Sequence, residues 1–199
     1  MSVVSIAEAW PAPGKPFTVA ELDRMPDDGH RYELLDGMLV VSPRPNNSHQ
    51  EVAAELLGLL RAACPAGLRA LPEPAVQLSR ETEFAPDIVV VDRDELSSPK
   101  ITRPPVLVVE VRSPSTALID LNRKKAAYER FRAGSYWVIV PDLDKPELIV
   151  FELHDGRYWE AAHLTGEQTF VAAKPFRAQR PFAVEVVPAR LVAGLQPPA

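Results

Sequence analysis

The chain has one cysteine, Cys64, among 199 residues. A single thiol excludes an intrachain disulfide and any cysteine-based metal cluster. Its apolar setting (RAACPAG) reads as a buried free thiol in a reducing cytoplasm. No basic segment followed by a long apolar core opens the chain, and no apolar run approaches the ~20 residues of a spanning helix. The expectation is a soluble, cytoplasmic protein with no membrane partner. Positive charge is also scarce, with 22 Lys and Arg against 27 Asp and Glu, a net charge of −5. No global basic field draws in nucleic acid, so any contact with a phosphate backbone must come from a local patch. The four histidines show no HxxxH spacing, and there is no serine nucleophile elbow, P-loop or GxGxxG. Acyl transfer, P-loop nucleotide hydrolysis and dinucleotide binding are thereby set aside.

What is present is ordinary globular composition, 46% hydrophobic and 25% charged, enough for one domain with a sizeable core. Many of the 21 prolines gather at the two ends and at element boundaries (SPRP, LPEP, TRPP). We therefore expect a single domain over residues 17–192, between a Pro-rich tail (1–16) and a C-terminal tail (193–199). FTVAELDRM opens with Thr18 and Glu21, a capping box for a short helix. Asp36-Gly37 and Asp155-Gly156, each between apolar-rich runs, predict two β-hairpins. SHQEVAAELLGLLRAAC has helical periodicity with Ser48 and Glu51 as its capping box, and ends before Pro65. LRALPEPAVQLS, PDIVVVD, PPVLVVEV and YWVIVPD read as strands, and the nearly all-apolar ones belong at the centre of the sheet. A helix from Ser115 or Thr116 to Arg132, with Gly134 as its stop, separates the last two. TFVA and PFAVEVV are further strands. This order predicts an α/β (α+β) fold, a mixed central β-sheet flanked by helices, with additional hairpins.

Chemistry enters with Asp87, at the mouth of PDIVVVD, and Glu110, inside LVVEV. Two carboxylates on adjacent central strands repel each other and lose solvation, so a cation or a proton must accompany them. A divalent metal satisfies both, and hard oxygen ligands with the rest of the shell left to water and phosphate describe a magnesium site. Arg112 shares the strand face of Glu110, but a guanidinium cannot serve as a base and could only hold phosphate. On the following helix Asp120, Lys124 and Tyr128 fall at four-residue steps on one face, from which a lysine could reach back over the carboxylates. Plainer readings compete. Asp87 after proline could merely start a strand, Asp120 with Lys124 is an ordinary i, i+4 pair, and Glu33 could face solvent from an alternating strand. His49 reads as structural or supporting, and Tyr128 as core with its hydroxyl near the pocket. Arg123, Lys124, Lys125, Arg130 and Arg132 form the one local excess of positive charge.

PD at residues 86–87, EVRSPST at 110–116, Asp120, Lys124, Tyr128 and YW at 136–137, preceded by RYELLDG and SHQ at 48–50, resemble the Uma-two family of endonucleases. That family is a branch of the PD-(D/E)XK nuclease superfamily, and the likeness spans roughly residues 17–153. It implies a restriction-endonuclease-like core with Asp87 and Glu110 as metal ligands. In this branch the lysine of the superfamily's E-x-K motif has moved from the strand to the helix, so Lys124 takes its role of positioning or activating water. Glu33 and His49 match positions that recur near the family's pocket, and Arg112, Asp120 and Tyr128 join them as auxiliary residues. The implied function is hydrolysis of phosphodiester bonds in DNA by a Mg²⁺-dependent, cytoplasmic homodimer, with Mn²⁺ as a possible substitute. The rival is a catalytically inactive nuclease-fold binding or scaffold protein that keeps the metal site.

Overall fold

The computed structural model describes residues 14–112, 119–171 and 182–195. Helix α1 (Val19–Leu22) is a single turn held by the expected capping box: the Glu21 carboxylate accepts the Thr18 backbone N–H at 2.8 Å and also the Thr18 hydroxyl. Strands β1 (His30–Leu35) and β2 (Met38–Pro43) form the first predicted hairpin, with Asp36 and Gly37 at φ 48° and 78°. Gly37 is doubly constrained, because a Cβ there would stand 2.5 Å from the Cβ of Pro16. Gly37→Ala is therefore expected to destabilise the fold by about 1–3 kcal/mol. Equilibrium urea unfolding reads this directly, and an unchanged midpoint would show that the turn relaxes freely.

Helix α2 (Asn47–Ala63) is capped by Asn46 rather than by the expected Ser48. Asn46 is extended, and its side-chain oxygen accepts the His49 N–H at 2.9 Å, which leaves Ser48 inside the first turn. The helix buries Val52, Leu56 and Leu60 and ends at Cys64. That terminal position leaves the thiol half-buried, not fully buried as expected. LRALPEPAVQLS is not one strand but two, β3 (Leu68–Pro72) and β4 (Val76–Ser79), which lie in different sheets. Pro72 and Pro74 lack ladder donors, and Glu73 between them turns at φ 46°. Strand β5 (Thr82–Phe84), too short to register as a periodic run, pairs with both β4 and β1.

Strands β6 (Ile88–Asp92) and β7 (Leu107–Val111) follow. A π-helical stretch (Ile119–Lys124) then leads into α3 (Lys125–Phe131). The start expected at Ser115 or Thr116 lies outside the described residues. The helix ends at Arg132, in the left-handed conformation at φ 67°, and not at Gly134. Gly134 already belongs to the sheet's hydrogen bonding: its N–H donates to Pro105 at 2.9 Å and its carbonyl accepts from Leu153 at 3.0 Å. Strands β8 (Ser135–Val140), β9 (Glu147–His154) and β10 (Arg157–Thr165) come next, the last two joined by the predicted Asp155-Gly156 turn. The pair β11 (Phe170–Val171) and β12 (Glu185–Val186), then α4 (Pro188–Val192), follow in the described chain.

The central sheet has the order β10-β9-β8-β7-β6-β3. It is mixed, since β7 and β8 run parallel through the α3 crossover while the other neighbours are antiparallel. The three nearly all-apolar strands do lie at its centre. One face packs Leu107, Val109 and Val111 with α2; the other packs Val108 with Ala127 and Tyr128 of α3. Period-2 alternation thus sends Glu110 to the α3 face. A smaller sheet, β2-β1-β5-β4, contributes Leu35 and Phe84 to that same side. This is the mixed sheet flanked by helices that the sequence predicts.

Candidate active site

The ladder between β6 and β7 pairs Ile88 with Val109 and Val89 with Val108. Continuing that register one step sets Asp87 opposite Glu110, on the face where α3 and the small sheet approach. Both are buried, with 2% and 3% of their surface exposed. Asp87 takes the place of a ladder carbonyl: its Oδ2 accepts the Val111 N–H at 2.6 Å. The same oxygen lies 3.2 Å from His49 Nε2, and its Oδ1 is 3.4 Å from an Arg31 guanidinium nitrogen. Burial works against the charged form of Asp87, but His49, Arg31 and the Val111 N–H outweigh it and hold the carboxyl below the usual aspartate value.

Glu110 meets the crossover helix. Its Oε1 lies 3.2 Å from Lys124 Nζ and accepts the Tyr128 hydroxyl at 3.3 Å. Lys124, only 4% exposed, also reaches Glu33 from β1 at 3.0 Å. Glu33 in turn accepts the Ala85 N–H at 2.9 Å, so the carboxylate is anchored before it meets the ammonium. Burial, with the charges of Glu110 and Glu33 beside it, pushes the Tyr128 hydroxyl well above its ordinary pKa, so it remains a neutral donor.

Residues two apart on a strand share a face, so Arg31 joins Glu33 on the side of β1 that covers the site. Its guanidinium donates to the Ala85 carbonyl and is 18% exposed. Burial opposes its charge, but Glu33, Asp87, Glu110 and Glu73 more than offset this and raise its pKa. His49, at the first turn of α2, approaches the Val111 carbonyl with Nε2 at 2.9 Å. Burial disfavours its cationic form, yet the contact with Asp87 prevails and raises its pKa.

These groups open onto a cavity of about 720 Å³, lined also by Arg112, Arg44 and Asp142. Glu33, His49, Asp87, Glu110, Arg112 and Lys124 all reach its wall; Tyr128 supports Glu110 from the core behind. Glu33 does not face solvent, and Lys124 is no solvated helix residue. The side chain of Asp120 lies outside the described residues. Arg31 was not singled out in the sequence, although its position two before Glu33 marks it in retrospect. As for a metal, two buried carboxylates beside an open cavity are hard oxygen donors of the kind magnesium takes. No group of three His, Cys, Asp or Glu side chains forms a ready cage among the described residues. That suits an ion that retains most of its water. The residues fit such an ion, with Asp87 and Glu110 as its holders.

A mixed sheet with one carboxylate from each of two adjacent strands, faced by a lysine from the crossover helix, defines the restriction-endonuclease-like class. The chain belongs to the Uma2 (Uma-two) family, described as "Putative restriction endonuclease", whose model matches residues 19–185. Its fold is similar to that in the crystal structure of a "putative nuclease belonging to DUF820" from Anabaena variabilis ATCC 29413. The TM-score is 0.68 and the identity 16%, over 91% of this chain and 100% of that one. No curated protein matches. Among the described residues no helix is long and apolar enough to cross a membrane.

Proposed function

We propose that the protein is a Mg²⁺-dependent endonuclease that hydrolyses phosphodiester bonds in DNA, with Mn²⁺ able to substitute. The observation that carries this reading is Lys124, buried between Glu110 and Glu33 in the cavity that also receives Asp87. An ammonium there can hold a water or a phosphate oxygen beside the carboxylates. A divalent ion held by Asp87 and Glu110 would polarise the phosphodiester and make the attacking water a stronger nucleophile. Tyr128 and Lys124 orient Glu110; His49 and the Val111 N–H orient Asp87. Arg112 and Arg44 on the cavity wall supply the local positive charge that the acidic chain needs to meet a phosphate backbone. The reading includes a cytoplasmic location and a homodimer that brings two sites to two strands, by analogy with enzymes of this class.

Purified protein with Mg²⁺ or Mn²⁺ is expected to nick or linearise supercoiled plasmid, and chelation with EDTA to stop it. Intact plasmid across a range of metals, together with cleavage of RNA, would move the substrate to RNA. Manganese bound without cleavage of either polymer would instead support the nuclease-fold binding protein.

A further inference from the structure

A carboxylate that bridges two metal ions gives one oxygen to each, and in two-metal sites the ions stand about 3.5–4 Å apart. Asp87 is poorly placed for that duty. Its Oδ2 already accepts the Val111 N–H at 2.6 Å and lies 3.2 Å from His49 Nε2. A second ion on that oxygen would have to displace a buried backbone donor, which would then lack a partner. The other oxygen, Oδ1, faces a cation that belongs to the protein, the Arg31 guanidinium at 3.4 Å. Arg31 is tied in place by the Ala85 carbonyl, and a guanidinium does not deprotonate.

The charges at the cavity floor point the same way. Glu33, Asp87 and Glu110 set against Arg31 and Lys124 leave a formal charge of −1, with His49 counted as neutral. One divalent ion turns this to +1, which matches a single phosphodiester; two would leave +3. We propose that the site takes one divalent ion, and that Arg31 is the fixed cation standing where a second would otherwise be held. This rests on the reading of Asp87 and Glu110 as metal-holding residues. Arg31 is then a positioning residue that sets metal stoichiometry and affinity through Asp87.

Titration of the full chain with Mn²⁺, by calorimetry and by electron paramagnetic resonance, tests it without reference to activity. Wild type is expected to take one ion per chain, with the spectrum of an isolated Mn²⁺. Arg31→Met is expected to bind that first ion at least tenfold more tightly and to admit a second, whereas Arg31→Lys keeps a stoichiometry of one. Two spin-coupled ions in wild type would overturn the inference and leave the nuclease reading standing; no bound ion would overturn both. A folded Arg31→Met chain that still takes a single ion at wild-type affinity would overturn the role given to Arg31. Should Arg31→Met fail to fold, the wild-type and Arg31→Lys stoichiometries still decide the number of ions.

Discussion

Asp87→Asn and Glu110→Gln are each expected to lower plasmid cleavage by about three powers of ten, the rate equivalent of the several kcal/mol that a divalent ion contributes. Both substitutions preserve shape. An asparagine at 87 can still accept the Val111 N–H through its amide oxygen, the bond that finishes the β6–β7 edge. Its NH₂ would then face the Arg31 guanidinium, donor against donor, at a cost of about 1–2 kcal/mol. Glutamine at 110 keeps an acceptor for the Tyr128 hydroxyl and the Lys124 ammonium. The fold should therefore survive, and circular dichroism with urea unfolding checks that it does. What each variant loses is one formal negative charge and one strong ligand. Mn²⁺ binding is expected to weaken in parallel with cleavage. Full cleavage with unaltered metal dependence in either variant would remove that carboxylate from the reaction.

The carboxylates were legible because burial makes charge conspicuous. Glu110 stands in LVVEV, an apolar run that only a covered strand explains, and Asp87 opens the neighbouring run at PDIVVVD. Glu33 was harder to read, since RYELL alternates in the same way whether its polar face meets water or a polar cavity. The period reports sidedness, not what lies on that side. Arg31 escaped notice for the same reason. Lys124 depended on the resemblance: Asp120 and Lys124 form a common helix pair, and only the fold brings β1 across to place Glu33 beside the ammonium. The strand boundaries show a similar limit. LRALPEPAVQLS is apolar enough for one strand, and the switch to a second sheet is carried by Pro72, Glu73 and Pro74 alone. At α2, Asn46 and Ser48 both suit a cap, and local sequence does not rank them; the backbone chose Asn46, which fixes where His49 meets Asp87.

Lys124→Met separates the stabilising part of this site from its chemistry. The ammonium lies 3.0 Å from Glu33 and 3.2 Å from Glu110, nearly sealed from water, so removing it leaves two buried carboxylates facing each other. Breaking a buried pair by deleting one partner costs about 3–5 kcal/mol, a large share of the roughly 5–15 kcal/mol that holds a domain together. The single variant is thus expected to unfold at markedly lower urea, and its lost cleavage would be ambiguous. Glu33→Gln in the same chain removes one of the two stranded charges while the amide oxygen still accepts the Ala85 N–H. The double variant should regain at least half of the lost stability, a coupling that a double-mutant cycle measures. Cleavage should not return. If Glu33 serves only to hold the lysine, Glu33→Gln alone stays within about tenfold of wild type, a cost below about 1.4 kcal/mol. Metal binding moves the opposite way from activity, because loss of a positive charge beside Glu110 favours a cation there. A stabilised double variant that binds Mn²⁺ at least as tightly as wild type, yet leaves plasmid intact, would assign Lys124 to the reaction itself. Recovery of cleavage along with stability would reduce it to a structural counterion.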